Sequence, residues 1–227
     1  MENLPFYILP VFVITTLITL LVLYKSVNYS KSTIIITIIW LAIQSVISLS
    51  GFYTITNVMP PRFSLLLIPP VILIISLFLS KTGKQYIDTA NIKILTLVHV
   101  IRIPVELVLY WLYLQKTIPE IMTYEGQNFD IICGISAPII YYFGYVKKIL
   151  NSKVLLAWNI ACMLLLLNIV ITALLSAPFP IQKFAFNQPN IALLYFPFTW
   201  LPGLVVPIVL FAHVASVTQL LKKKHSL

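Results

Sequence analysis

The amino-acid sequence predicts an all-α fold, namely a polytopic transmembrane helix bundle of seven spans. The first observation is compositional: of 227 residues, 60% are hydrophobic and 9% are charged, whereas soluble domains carry about 25% charged residues. The second is that apolar stretches of membrane-crossing length recur along the chain, separated by short connections. The third is that basic residues alternate between the two ends of these stretches. This composition is incompatible with a water-soluble fold.

Each apolar stretch is close to the length of about 20 helical residues that crosses a bilayer. We predict one bundle domain over 1–227, with spans at about 5–24, 32–53, 63–80, 94–115, 129–146, 153–177 and 193–221. Met1-Glu2-Asn3 lacks the basic region of a secretory signal, so the first span is expected to be retained. Prolines lack the helical N–H donor, so Pro69-Pro70 is expected to break span three and Pro138 to bend span five. Span seven is expected to be irregular at Pro197, Pro202 and Pro207.

The distribution of basic residues predicts the orientation, because lysine and arginine favour the cytoplasmic side. Eleven of the fifteen basic residues fall on one predicted side: Lys25, Lys31, Lys81, Lys84, Lys93, Lys147, Lys148, Lys153, Lys222, Lys223 and Lys224. Only Arg62, Lys116 and Lys183 fall on the other side, and Arg102 lies inside a span. We therefore predict an outer N-terminus and a cytoplasmic C-terminus. The net charge of +9 is then an orientation signal, and no nucleic-acid partner is expected.

Span four carries a polar stripe. At about 100° per residue, five side chains fall within an arc of roughly 80°: His99, Arg102, Glu106, Tyr110 and Tyr113. A charge at mid-bilayer costs about 2.5–3.5 kcal/mol, so Arg102 and Glu106 must face protein or water. They are four residues apart and can meet, and Pro104 is expected to kink the helix and free the Val100 carbonyl. Two interpretations stay open: an ion pair that fixes helix packing, or a binding or proton-handling site.

The connection after span four is acidic. Thr117-Ile118-Pro119-Glu120 has the form of a capping box, which predicts a short helix over about 118–125 on the outer surface. Asn128 could cap span five and place Asp130 in its first helical turn. The alternative is a cation-attracting vestibule formed by Glu120, Glu125 and Asp130.

Histidines and cysteines within the spans suggest further chemistry. His99 and His213 lie at comparable predicted depth and could share a ligand if spans four and seven adjoin. Zinc hydrolases of the ceramidase and adiponectin-receptor type use three histidines and an acid, whereas this chain has no HxxxH pair and the predicted depth of Asp130 separates it from the histidines. A haem with the two histidines as axial ligands is the other cofactor alternative. Cys133 and Cys162 are expected to be packed thiols at different depths, not a disulfide or a metal pair.

The sequence departs from two known classes of seven-span membrane protein. A retinal protein needs a lysine within a span, and every lysine here lies in a connection or at a membrane end. A sugar-type transporter of the three-plus-one-plus-three kind fits the number of spans, but the chain has no Pro-Gln dipeptide and no convincing internal repeat.

Several segments carry a family resemblance. They are Gly51-Phe52-Tyr53, Met59-Pro60-Pro61-Arg62-Phe63, Arg102-Ile103-Pro104-Val105-Glu106, Met122-Thr123-Tyr124-Glu125-Gly126-Gln127-Asn128-Phe129-Asp130 and Gln188-Pro189-Asn190. Through them most of the chain resembles a group of uncharacterised seven-span bacterial membrane proteins with no established activity. This resemblance implies a multi-pass protein of the bacterial cytoplasmic (inner) membrane.

Our leading hypothesis from sequence is an outward-opening polar cavity between spans three, four, five and seven. It would bind or transport a small, potentially anionic ligand around an Arg102–Glu106 pair. The candidate ligand-binding residues are His99, Arg102, Glu106, Tyr110, Tyr113, Asp130 and His213. The sequence identifies no catalytic residue, metal site or cofactor. The alternatives are a metal- or haem-dependent enzyme using His99 and His213, and a structural subunit of a membrane complex. The lipid bilayer is the expected partner, together with the small ligand, and homo-oligomerisation is left open.

Overall fold

The computed structural model describes residues 4–225, which are mostly helical, with no β-strand among them. Its α-helices are α1 (Ile8–Ser26), α2 (Lys31–Leu49), α3 (Ser64–Leu79), α4 (Lys81–Thr89), α5 (Ile92–Val98), α6 (Arg102–Leu114), α7 (Ile131–Tyr141), α8 (Ser152–Ser176) and α9 (Val206–His225). Short 3₁₀ turns occupy Phe52–Thr54, His99–Ile101, Glu120–Met122 and Ala192–Leu194, and π-helical turns occupy Tyr142–Val146 and Leu201–Val205. Glu2 lies outside the described residues, as do the side chains of Lys223 and Lys224.

In the part of the chain that the structure describes, four helical segments are each long and apolar enough to cross a membrane: α1, α2, α8 and Leu201–Lys222. The bent pair of α3 and α4 meets the same criterion when its two helices are taken together. The predicted fourth span is divided into α5, the 3₁₀ turn at His99–Ile101 and α6. This interruption directly precedes Pro104, whose missing N–H prevents a regular α-helical bond to Val100. The expected irregularity of the polar helix is thus confirmed.

The expected break of span three at Pro69-Pro70 is wrong. The α3 helix runs through both prolines from Ser64 to Leu79, because a proline removes a hydrogen bond but keeps a helical φ angle. The change of direction comes later, at Ser80, where α4 turns by 95° from α3. The Ser80 side chain caps α4 by accepting a bond from the Gly83 N–H at 3.0 Å, so this corner is encoded by a capping residue.

Spans five and seven differ from regular helices. The α7 helix contains Pro138 and continues into the π-helical turn Tyr142–Val146. The seventh helical segment begins at Leu201, eight residues after the predicted start at 193, and its first turn is π-helical. Proline at positions 197, 202 and 207 explains the late start and the widened turn, since each proline removes one backbone donor.

One end of the bundle is joined by hydrogen bonds between the α1–α2 connection, the α4–α5 connection and the end of α9. Asn28 Nδ2 donates to the Thr89 carbonyl at 2.7 Å. Gln219 Nε2 donates to the carbonyls of Ile87 at 2.7 Å and Ala90 at 2.8 Å. Lys222 pairs with Asp88 at 2.6 Å at the same end.

At the other end, the connection between α6 and α7 folds into the bundle. Ile118, Met122, Thr123 and Asn128 are all buried. The predicted surface helix over 118–125 is therefore wrong, and only Glu120–Met122 forms a 3₁₀ turn. Apolar side chains at 118, 121 and 122 explain this inward packing, because they would otherwise face water at the mouth of the bundle.

The connection between α8 and the seventh segment packs against this inserted segment. The Ile191 N–H donates to the Thr117 carbonyl at 3.0 Å, and Gln188 Nε2 donates to the Ile118 carbonyl at 2.5 Å. Within the stretch 179–190, Phe179 and Asn190 are buried while Phe186 is exposed. The two connections together close this end over the helices.

Candidate functional site

A group of buried polar side chains lies where α6, α7, α8 and α9 meet, and we call it the polar cluster. Every member is at most 5% exposed. Its members are His99, Arg102, Glu106, Asn128, Asp130, Asn159 and His213. The cluster contains five of the seven residues that the sequence predicted as ligand-binding, and it adds two asparagines.

Arg102 is the centre of the polar cluster. Its Nη1 donates to Asp130 Oδ1 at 2.6 Å and to the Cys162 carbonyl at 3.3 Å. Its Nη2 donates to His213 Nε2 at 2.7 Å. The expected Arg102–Glu106 pair is wrong, since the ion pair of Arg102 is with Asp130. A carboxylate approaching from another helix meets the guanidinium directly, whereas the order Arg then Glu along one helix is the less favourable one.

Asp130 reaches Arg102 because the chain before it is folded into the bundle. Asn128 Oδ1 accepts the Asp130 N–H at 3.1 Å, which orients the start of α7. The Asp130 side chain makes no capping bond to α7 and instead turns to Arg102. The predicted depth that separated Asp130 from the histidines is therefore wrong, because one guanidinium bridges Asp130 and His213.

His213 is held in one tautomer by its two neighbours. An arginine guanidinium only donates hydrogen bonds, so His213 Nε2 accepts from Arg102 and the ring proton resides on Nδ1. That Nδ1–H donates to Asn159 Oδ1 at 3.1 Å. The Asn159 amide is fixed in turn, because its Nδ2 donates to the Leu155 carbonyl at 2.9 Å. His213 is thus a neutral imidazole in this arrangement.

His99 stacks on His213, with ring centroids 3.9 Å apart and an interplanar angle of 17°. The helical segments that carry His99 and His213 therefore adjoin, which is the condition that the sequence analysis set for a shared ligand. Within residues 4–225, neither ring nitrogen of His99 has a hydrogen-bond partner. The His99 ring meets the Trp158 ring edge-on, with centroids 5.4 Å apart.

This stacking does not fit the zinc or haem alternatives. A shared metal must lie in the plane of each imidazole ring along a nitrogen lone pair, whereas stacked rings present their faces to each other. Both nitrogens of His213 are engaged with Arg102 and Asn159. Within the described residues, no group of three or more His, Cys, Asp or Glu side chains could hold a metal ion.

Glu106 occupies the polar cluster without a cation of its own. Both of its carboxyl oxygens accept from Asn128 Nδ2 at 2.7 Å. Asn128 Nδ2 also contacts the Met122 carbonyl at 3.0 Å, so a single amide joins Glu106 to the inserted connection. Glu106 is 1% exposed, which makes it a second buried carboxyl group beside one arginine that is already paired.

Tyr110 and Tyr113 lie outside the polar cluster, towards the end of the bundle closed by the inserted connection. Tyr110 packs against Tyr124 with centroids 4.8 Å apart. The Tyr113 hydroxyl donates to Glu120 Oε2 at 3.4 Å on the exposed surface. The polar stripe predicted on this helix therefore has two parts. His99, Arg102 and Glu106 are buried, whereas Tyr110 and Tyr113 are partly exposed.

Cys133 and Cys162 are free and buried, as predicted. Their expected difference in depth is wrong, because the backbone of Cys162 and the residues around Cys133 both contact Arg102. The Cys162 carbonyl accepts from Arg102, and a Cβ built on Gly134 would lie 3.4 Å from Arg102 Cβ. The two cysteines thus belong to the wall around the guanidinium.

A cavity of about 320 Å³ lies away from the polar cluster, between α2, α3 and the seventh helical segment, and we call it the apolar cavity. No member of the polar cluster lines it. It is lined by Leu23, Thr33, Ile36, Thr37, Trp40, Pro69, Pro70, Leu73, Ile74, Leu77, Tyr86, Gly203, Leu204, Pro207, Ile208 and Phe211. This cavity is apolar and adjoins α2, whereas the cavity predicted from sequence is polar and lies between spans three, four, five and seven.

The sequence predicted Asn128 only as a helix cap and assigned neither Asn128 nor Asn159 to the site. Asn159 carried a usable signal, because an amide in the middle of an apolar helix needs a buried partner. Asn128 carried none that distinguishes it from a helix cap, since its role depends on the inward fold of the connection before it.

The helices and their buried polar cluster define an all-helical protein with several helices apolar enough for a membrane. Residues 60–221 match the family described as Domain of unknown function (DUF8737), and the chain belongs to that family. No curated protein and no solved structure matches it.

Proposed function

We propose that this is a seven-span protein of the bacterial cytoplasmic membrane, in which Glu106 binds and releases a proton in step with binding or transport of a small ligand. Seven helical segments correspond to the predicted spans when α5, the following 3₁₀ turn and α6 count as one and α7 includes its π-helical turn. The bonds that join Asn28, Asp88, Gln219 and Lys222 support a common side for the lysine-rich connections. That side is then cytoplasmic.

The charge arrangement of the polar cluster carries the proposal. Arg102 and Asp130 compensate each other. Glu106 adds a further carboxyl group, and among the described residues its side-chain partner is the amide of Asn128. An ionised carboxylate without a cation is costly away from water. A carboxyl group in that position is suited to carry a proton, and intramembrane carboxyl and histidine side chains serve as proton relays in pumps and transporters.

The role first given to Arg102, an anchor for an anionic ligand, is not retained. Both of its Nη atoms already donate to Asp130, the Cys162 carbonyl and His213, while its buried Nε has no partner among the described residues. The guanidinium instead holds Asp130 and a neutral His213 beside Glu106, which makes Arg102 a positioning residue. Tyr110 and Tyr113, at the half-exposed end of the same helix, lie between Glu106 and the outer surface.

Infrared difference spectroscopy of the protein in lipid vesicles tests proton exchange at Glu106. We compare spectra at successive pH values for the parent, Glu106→Gln and the surface control Glu125→Gln. The proposal predicts a pH-dependent carbonyl band of a buried carboxylic acid in the parent and in Glu125→Gln, and its loss in Glu106→Gln. Circular dichroism establishes that the variants fold. A parent spectrum with no band that depends on Glu106 at any pH contradicts the proposal.

A structural subunit is the second candidate, favoured by the way the polar cluster links four helices. Arg102, Asp130, Asn159 and His213 are joined by direct bonds across α6, α7, α8 and α9. In this case Arg102→Met combined with Glu106→Gln would weaken assembly and folding without changing any pH-dependent band. If this double variant folds like the parent but loses the pH-dependent carbonyl band, proton exchange is favoured instead.

A further inference from the structure

The apolar cavity has the size of a ligand pocket. Its volume of about 320 Å³ lies at the lower end of the range of roughly 300–1,000 Å³ that small-molecule pockets occupy. Two of its lining residues, Ile36 on α2 and Leu73 on α3, are 57% and 53% exposed. The α2 helix is long enough to cross a membrane, and α3 is the third span in the arrangement proposed above. In that arrangement the cavity opens sideways to the lipid.

Polar side chains in the cavity wall are already engaged with protein partners. Trp40 Nε1 donates to the Gly203 carbonyl at 2.8 Å, which lies in the π-helical turn. The hydroxyls of Thr33 and Tyr86 bond to each other at 2.9 Å, and the Thr37 hydroxyl donates to the Thr33 carbonyl at 2.7 Å. The remaining wall is aliphatic, aromatic or proline, so the complementary occupant is a hydrocarbon chain.

One end of the apolar cavity lies beside a concentration of lysines. Thr33 and Tyr86 line that end, and Lys31, Lys81 and Lys84 occupy the first turns of the same two helices, α2 and α4. All three lysines are exposed. Asp88 is the acidic residue at this end, and it pairs with Lys222. The lysines beside the cavity are thus complementary to an anionic head group.

We propose that the apolar cavity binds an acyl chain of an anionic phospholipid whose phosphate contacts Lys31, Lys81 and Lys84. This inference rests on the membrane-spanning arrangement proposed above and is independent of proton exchange at Glu106. An acyl chain gains little free energy by moving from the bilayer into the cavity, because the surrounding lipid tails are as apolar as the cavity wall. Selectivity therefore depends on the lysines, at roughly fivefold in affinity for each one near the surface.

Trp40 provides the probe, because bromine on a lipid chain quenches tryptophan fluorescence only on close approach. The full chain is placed in symmetric phosphatidylcholine vesicles with increasing fractions of brominated phosphatidylglycerol or brominated phosphatidylcholine. We expect quenching to saturate at a lower fraction of phosphatidylglycerol. The difference should disappear in Trp40→Phe and persist in Trp111→Phe, whose ring packs against Tyr7.

A charge-matched pair of variants tests the head-group contact. Lys31→Gln/Lys81→Gln/Lys84→Gln should abolish the preference for phosphatidylglycerol, whereas Lys147→Gln/Lys148→Gln/Lys153→Gln removes the same charge and should retain it. If the first triple variant does not fold, Lys81→Gln and Lys84→Gln alone should each weaken binding roughly fivefold. Equal quenching by the two lipids, or equal effects of the two triple variants, would overturn the proposal and indicate annular lipid only. Because both leaflets carry the same lipid, the result does not depend on the orientation of the protein. The variants leave Glu106 unchanged, so the outcome is also independent of the infrared test.

Discussion

The polar cluster and the apolar cavity lie on different sides of the seventh helical segment, and they are packed in opposite ways. His213 on α9 stacks on His99 at 3.9 Å and bonds to Arg102. Two residues earlier, Phe211 faces a hollow of about 320 Å³. The most polar part of the interior is therefore dense, and the most apolar part is incompletely filled.

The difference follows from what drives packing when the surrounding solvent is hydrocarbon. Buried charges and amides must meet protein partners because lipid offers none, so the polar cluster draws four helices together. Apolar side chains gain little by leaving lipid for one another, and α2 and α3 can stay apart around a space. The following predictions test this contrast from the largest effect to the smallest.

Asp130→Asn should destabilise the protein most, by about 3–5 kcal/mol, because it leaves the buried Arg102 charge without a carboxylate. Reversible unfolding in mixed detergent micelles measures the loss. Asp88→Asn is the matched control: it breaks the half-exposed pair with Lys222 and should cost about 0–1 kcal/mol. Similar losses in the two variants would show that the Arg102–Asp130 pair is no more important than a surface pair.

Gly134→Ala should cost about 1–3 kcal/mol through overpacking beside the polar cluster. A Cβ at Gly134 would lie 2.8 Å from Ile103 Cγ1 and 3.1 Å from the Ile103 backbone nitrogen. On the other side, Leu73→Phe enlarges a side chain that borders the apolar cavity and should change stability by less than about 0.5 kcal/mol. The same unfolding assay compares Gly134→Ala with Leu73→Phe. Equal losses of stability would mean that the apolar cavity does not accommodate a larger side chain.

Trp40→Phe should have a smaller effect than Asp130→Asn or Gly134→Ala, about 0.5–1.5 kcal/mol, because it removes one hydrogen bond to the Gly203 carbonyl but keeps an aromatic ring. Thr37→Val, which loses only a bond to its own helix, serves as the control and should stay within about 0.5 kcal/mol. A loss for Trp40→Phe as large as that for Asp130→Asn would contradict the division between a dense and a loosely packed side.

The helical class was predictable because it depends on local composition: charge is scarce and apolar stretches recur. The comparable depth of His99 and His213 was also predictable, because they lie about five and about eight residues from the predicted inner ends of their helices. That the two helices adjoin was not. The partner of Arg102 was not. Predicting that partner requires knowing that Ile118 and Met122 are buried. Their burial draws the connection between α6 and α7 into the bundle, and Asp130 at its end moves inwards with it.

The amino-acid sequence by itself determined that this protein is helical and that Arg102 and Glu106 cannot face lipid, because both conclusions follow from the cost of placing polar groups in hydrocarbon. Only the tertiary structure decided that Asp130 pairs with Arg102, that Glu106 has an amide as its partner, and that the sizeable hollow adjoins Trp40. Those outcomes depend on where connections and helix corners turn, and the turns are set by contacts between residues far apart in the chain.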